Sequence, residues 1–265
     1  GYCPSDEPFI NLLTQGMVLK DGTKMSKSKG NVVSPEEIIN KYGADTARLF
    51  ILFASPPDKE LEWSDAGIEG SYRFLNRVHR MIFELAERIK DAPSEYTALS
   101  TEDKKLAYVM NASIKKVTED VGSRFNFNTA ISSIMELVNG IYRYKEIKNP
   151  NSGLLKAAAE DLILLLAPFT PHICEEMWEH IGHSGTIYLE KWPVYDEAAL
   201  IKDSIEIVIQ LNGKVKEKIE VANGLNKEQL EEVVMENEKV KVLLKDKEII
   251  KVIAVPNKLF NIVIK

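Results

Sequence analysis

Cysteine is nearly absent from this chain: its 265 residues include two, Cys3 and Cys174. A pair so far apart supplies neither a disulfide framework nor a zinc set, and it fits a reducing cytoplasm. Long apolar runs and a signal-like start are missing too, which leaves membrane and secreted readings without support. No internal repeat or low-complexity linker interrupts the sequence. A strong excess of one charge is also lacking, since Lys and Arg number 34 against 40 Asp and Glu, for a net charge of −6. That balance argues mildly against a nucleic-acid partner, although basic residues gathered on one face could still hold one. Residues 1–57 carry six basic and six acidic side chains, 58–203 carry 17 and 24, and 204–265 carry 11 and ten, so the acid excess lies in the middle. At 45% hydrophobic and 28% charged the composition is that of ordinary soluble globular protein, and the length allows one to three domains.

What is present begins with Lys24-Met25-Ser26-Lys27-Ser28-Lys29-Gly30-Asn31. Flexible lysines and hydroxyls on a loop can close over a polyphosphate: two ammonium groups three residues apart reach the charge developing on a leaving pyrophosphate, and Ser26, Ser28 and nearby N–H groups add shorter hydrogen bonds. Asp21-Gly22 between Gly16-Met17-Val18-Leu19 and Thr23-Lys24-Met25 predicts a hairpin leading into this loop. Ser34-Pro35-Glu36-Glu37 predicts an N-cap, an N1 proline and a capping-box glutamate opening a short helix that ends at Gly43. Asp45 is expected to cap a second helix that runs through Phe53 and stops at Pro56-Pro57.

From Ser64 the period becomes helical. Five apolar stripes follow: Ile68, Tyr72, Leu75, Val78 or His79, Ile82, Leu85 and Ile89; Leu106, Val109, Ile114, Val117 and Val121; Ile131, Ile134, Val138, Ile141 and Tyr142; Leu155, Ala158, Leu162 and Leu165; and Ile173, Met177, Trp178 and Ile181 behind Thr170-Pro171. They predict a five-helix bundle. His79 and His172 read as packing or surface residues. From about Ser204 strands take over, with Asn212-Gly213 as hairpin turn between 205–211 and 214–221, a helix from about Asn226, and strands over 249–255 and 259–264. Lys214, Lys216 and Lys218 alternate along one strand, so the pleat sends all three to one face.

Lys24 to Ser28 matches the second signature motif of the class I aminoacyl-tRNA synthetases. The continuing runs Gly30-Asn31-Val32-Val33, Tyr42 to Leu49 and Phe53-Ala54-Ser55-Pro56 resemble the subgroup for leucine, isoleucine, valine and methionine. Asp6-Glu7-Pro8, Leu12 to Val18, Leu61-Glu62-Trp63-Ser64, Phe127 to Ile131, Gln210 to Lys214 and Val255 to Leu259 are similar to leucyl-tRNA synthetases of bacterial type. The resemblance implies a multidomain α+β chain: residues 1–57 the end of a Rossmann-type catalytic domain, 58–203 an α-helical bundle of the anticodon-binding type, and 204–265 a small α/β domain that contacts tRNA. Since the chain begins Gly1-Tyr2 and has too few residues ahead of Lys24 for a nucleotide-binding domain, it reads as a C-terminal piece. The implied partners are tRNA(Leu), leucine and ATP with Mg2+, with no protein-bound metal in this piece and a monomeric enzyme. Lys27 and Lys24 are the implied catalytic residues, Lys24, Met25, Ser26, Lys27 and Ser28 the implied ATP site, and Lys214, Lys216 and Lys218 the tRNA contacts.

His180-Ile181-Gly182-His183 spells the family's first signature motif. It follows the lysine loop and ends an amphipathic helix, so it is read as coincidence, with Gly182 as the helix C′ residue. Two alternatives stay open: a valyl, isoleucyl or methionyl relative, and a stand-alone RNA-binding module.

Overall fold

The computed structural model describes residue 9 and residues 12–93, 96–97, 99–245, 247–255 and 258–265. Cys3, the Asp6-Glu7-Pro8 run and Pro256-Asn257 lie outside the described residues. The chain divides into two compact units, residues 1–200 and 201–265. No helix among the described residues is long and apolar enough to cross a membrane.

The first unit opens with a small sheet. Strands β1 (Val18–Lys20) and β2 (Thr23–Lys24) form the hairpin, whose turn residues Asp21 and Gly22 both have positive φ, 55° and 69°, as a primed turn requires. A third strand, β3 (Leu61–Glu62), pairs parallel with β1. Two helices lie between them, α1 (Pro35–Tyr42) and α2 (Ala44–Ala54). Five further helices follow: α3 (Asp65–Ile89), α4 (Thr101–Glu119), α5 (Phe127–Tyr144), α6 (Ser152–Leu166) and α7 (Pro171–His180). Their core includes Val78, Ile82, Leu85, Ile114, Val117, Ile134, Leu137, Ile141, Leu162 and Met177. Fully burying a side chain of this size contributes roughly 1.5–3 kcal/mol, so the apolar stripes account for the bundle.

Local stops and starts follow the sequence in most places. Ser64 Oγ accepts from Gly67 N, Ser100 and Asp103 form a reciprocal capping box, and Asn151 Oδ1 accepts from Leu154 N. Gly182 takes φ 100° just past α7. Three expectations fail. Ser34 precedes α1 but its side chain makes no capping bond, so the predicted capping box is absent and Pro35 alone marks the start. Asp45 falls inside the first turn of α2 and does not cap it, because Gly43 is the residue before that helix. In α3 the stripe runs through Ser71, Phe74 and Val78, which leaves Tyr72 42% exposed and His79 half-buried.

Asp45 has a different task. Its Oδ2 accepts from Ile173 N at 2.7 Å and its Oδ1 meets His172 Nδ1 at 2.8 Å. It therefore caps α7, whose own N-cap residue Thr170 offers no side-chain bond. One turn on, Arg48 donates from Nε to Phe169 O at 3.2 Å and from Nη2 to Pro168 O at 3.0 Å, just beyond α6. A carboxylate at a helix start and a guanidinium on the carbonyls past a helix end both complement the backbone dipoles. Through this pair α2 grips the α6–α7 corner and joins the loop-bearing segment to the bundle.

The second unit is a four-stranded sheet, order β5-β4-β7-β6, built from β4 (Ser204–Leu211), β5 (Lys214–Ala222), β6 (Ile249–Val255) and β7 (Leu259–Ile264). β4 pairs antiparallel with β5 and parallel with β7. Helices α8 (Lys227–Glu236) and α9 (Glu238–Leu244) contribute Leu230, Val234 and Val240 to a core with Ile207, Ile209, Phe260 and Ile262. The break between the helices falls at Asn237, whose side chain accepts from Lys239 N. Asn212 and Gly213 form the turn with φ of 48° and 77°.

Candidate functional site

The β1–β2 hairpin delivers the lysine segment from a braced base. Trp63 N donates to Leu19 O at 2.8 Å, and Gly22 N donates to the Glu62 carboxylate at 3.1 Å across the turn. Below the sheet Phe50, Leu61 and Ile68 form a small core, covered by Val18, Ile38, Tyr42 and Trp63. Phe50 meets Trp63 edge to face at 5.3 Å. β3 and the Trp63 that follows it thus supply both a backbone partner and side chains that pack the hairpin against α2 and α3.

Beyond Lys24 the chain makes one tight turn, Lys27–Lys29, led by Ser26 in extended conformation. Ser26 Oγ accepts from Lys29 N at 3.3 Å and shares a hydrogen bond with Ser28 Oγ at 3.0 Å. Gly30, at φ 67°, reverses the chain in a region that glycine enters without cost. Asn31 then returns to the start of the loop, its Oδ1 accepting from Ser26 N at 2.9 Å. Lys24, Lys27, Ser28 and Lys29 are exposed, and Met25 and Ser26 are half-buried. Among the described residues no carboxylate lies within ion-pair distance of Lys24, Lys27 or Lys29. Three exposed ammonium groups on a hydrogen-bonded backbone turn are suited to receive an anion with several oxygens.

The histidines of the apparent first motif are absorbed by packing. His180 stacks on Phe83 at 3.6 Å, and His79 stacks on Phe83 at 4.0 Å. His183 stacks on Trp178 at 3.8 Å, and its Nε2 meets Glu160 at 2.9 Å. Cys174 is buried in the bundle core, where desolvation pushes its thiol pKa far up.

In the second unit the lysines of β5 do not share a face. The register slips between Ile209 and Gln210, so Ile209 pairs with Glu217 and Gln210 with Val215, leaving Lys216 as the extra residue of a bulge. Lys218 pairs with Val208, whereas Lys214 pairs with buried Leu211. Neighbouring β4 residues alternate faces and cross-strand partners share one, so Lys214 and Lys218 point to opposite sides. Lys218 also binds Glu206 at 2.7 Å, which holds its pKa above the ordinary value.

A family model described as the anticodon-binding domain of tRNA ligase matches residues 103–235, half of the chain, and one described as tRNA synthetases class I (I, L, M and V) matches residues 3–64. The chain belongs to the class I tRNA synthetases. Its first matched stretch contains the whole lysine loop with its β1–β2 base and ends at the N-cap of α3. The structure of the LeuRS agnB2 of Agrobacterium radiobacter K84, described as a ternary complex with tRNA and LeuAMS, is similar over 100% of this chain, with a TM-score of 0.79 and 32% identity. This chain covers 35% of that protein's length. Sequence reasoning missed the roles of four residues that build the synthetase loop and its support: Asn31, Glu62, Asp45 and Arg48. Their partners lie five to 128 positions away.

Proposed function

We propose that this chain is the part of a leucine-tRNA ligase that supplies the pyrophosphate-facing loop and tRNA-binding surfaces. The observation that carries the reading is a set of ammonium groups on a braced turn with no carboxylate in reach among the described residues, in a chain of the class I family. In the complete enzyme the leucine carboxylate attacks the α-phosphorus of ATP, the bond to the bridging oxygen breaks, and pyrophosphate leaves with Mg2+. The leucyl group then passes from the adenylate to the tRNA 3′ end and AMP departs. Lys27 meets the charge that grows on the leaving pyrophosphate, Lys24 assists it, and Met25, Ser26 and Ser28 shape the turn. Leucine is favoured over isoleucine, valine and methionine by the 32% identity to a LeuRS over the whole chain and by the Leu61-Glu62-Trp63-Ser64 run that begins with β3. The helical bundle and the second unit are the tRNA-facing parts.

The test is amino-acid-dependent exchange of labelled pyrophosphate into ATP by the complete enzyme. Leucine should drive it, and Lys27→Ala should lower kcat by ~10²–10³-fold with a smaller rise in KM for ATP, because the ammonium acts on charge present only in the transition state. A rate within about threefold of wild type removes the catalytic role of Lys27, and exchange driven by valine, isoleucine or methionine instead reassigns the substrate. The isolated chain, which covers 35% of the length of the LeuRS it is similar to, should show no exchange above a buffer blank.

A further inference from the structure

We infer that Asn31 is the positioning residue of the lysine loop: its side-chain amide fixes where Lys24 and Lys27 start, so it tunes adenylate formation without touching substrate. The inference rests on the adenylation reading above. Asn31 Oδ1 accepts from Ser26 N at 2.9 Å, while Nδ2 donates to Thr23 Oγ1 at 3.1 Å and to Lys24 O at 3.4 Å. One carboxamide thus meets three points of the segment that enters the loop. Only a carboxamide offers an acceptor and two donors from one short arm, since a carboxylate cannot donate.

The surroundings make this contact matter. β2 ends at Lys24, so no strand ladder supports residues 25–30. Inside the turn the bonds are local: Lys29 N to Ser26 O at 3.1 Å, Gly30 N to Lys27 O at 3.2 Å, and those of Ser26 Oγ. Among the described residues, the one hydrogen bond tying 25–30 to anything outside it is that from Ser26 N to Asn31. Gly30 serves the same end, because its positive φ brings Asn31 back beside Thr23. Without the amide the turn should survive but swing on its two ends, and the lysines would have to be ordered anew in each transition state.

The test compares Asn31→Ala, Thr23→Val and Lys27→Ala in the complete enzyme by pyrophosphate exchange, with tryptic cleavage after Lys24, Lys27 and Lys29 and thermal unfolding followed on the same proteins. Asn31→Ala should lower kcat by ~5–30-fold with KM for ATP within about threefold, as expected for losing two or three modest hydrogen bonds that order a loop. It should also speed cleavage inside the loop several-fold while the unfolding midpoint stays put, since only a local opening has become easier. Thr23→Val removes one contact and should show a smaller change in the same direction. An unchanged kcat or unchanged loop cleavage in Asn31→Ala, with Lys27→Ala slow, overturns the role of Asn31 alone. If Lys27→Ala is also at wild-type rate, the adenylation reading has failed and this inference with it. A drop in midpoint that accounts for the lost rate would make Asn31 merely structural, and so overturn the proposal too.

Discussion

Lys24, Lys27 and Lys29 extend from their loop with no carboxylate in reach among the described residues, whereas the helical part of the same unit buries Asp45, Asp103 and Asp120 and gives each at least two donors. Asp120 is fully buried and meets Lys116 at 2.7 Å, the Thr129 hydroxyl and, more distantly, Arg124. Asp103 accepts from the Tyr144 hydroxyl and from Ser100 N at 2.8 Å. Burial pushes the Asp103 carboxyl up, but these bonds outweigh it and hold its pKa below the ordinary value. Its partner Tyr144 is pushed up to about 12 by burial and by the bond to Asp103. Charge that serves the fold is paired, because an unpaired buried ion costs several kcal/mol. Charge left free is kept at the surface, where solvation is cheap and an incoming anion can replace water.

Asp161 is where this contrast is most easily broken. It lies on α6 mostly out of solvent, and no donor or cation meets it among the described residues; burial, with Glu160 beside it, pushes its pKa up to about 7. An unfolded aspartate titrates near 3.9, so between the two values the folded chain binds the extra proton. The contribution of Asp161 to stability should therefore be most favourable below about pH 4, fall as pH rises toward 7, and level off above it. Asp161→Asn removes this penalty and should stabilise the protein at pH 8 by up to ~4 kcal/mol more than at pH 4. Denaturant unfolding of both proteins at the two pH values measures it, and an equal difference at both would mean that Asp161 has a partner after all.

Asp45 sharpens the contrast from the paired side. Asp45→Ala uncaps α7 and leaves Ile173 N and His172 without their acceptor, at a cost of ~1–3 kcal/mol. The unfolding midpoint should fall, while Lys27→Ala, on the free-charge side, should leave it unchanged. A silent Asp45→Ala would show that water caps α7 equally well.

The bundle, both hairpins and the lysine loop were legible in the sequence because each rests on neighbours in the chain. Apolar residues at three- and four-residue steps dictate a buried face, and Asp21-Gly22 and Asn212-Gly213 dictate primed turns wherever they fall. What stayed hidden depends on pairings between distant segments. β3 is two residues long and exists only because β1 lies alongside it. Asp45 has the composition of a local cap, and nothing in its neighbourhood says that the amide it meets belongs to Ile173. Asn31 reads as one polar residue after a glycine until Gly30 turns it back on Thr23. The α8–α9 break did carry a signal, an asparagine followed by Glu238, which a closer reading of cap residues could have found.

The same limit governs the smallest expected effect, that of the β5 lysines on tRNA binding. Alternation along a strand predicts one face only if the register is regular, and the bulge at Lys216 breaks it. A phosphate backbone passing one side of the sheet can then meet Lys214 or Lys218 but not both. Each phosphate contact contributes ~0.7–0.9 to the slope of log affinity against log salt. Of the variants Lys214→Ala and Lys218→Ala, one should flatten the slope by about that amount and the other should leave it alone. The affected variant should weaken other tRNAs as much as the leucine tRNA, because phosphates carry no sequence. Titrating labelled tRNA at several salt concentrations distinguishes the outcomes: equal flattening by both variants would mean that the strand twists enough to bring the two lysines together, and no change in either would leave β5 outside the tRNA interface.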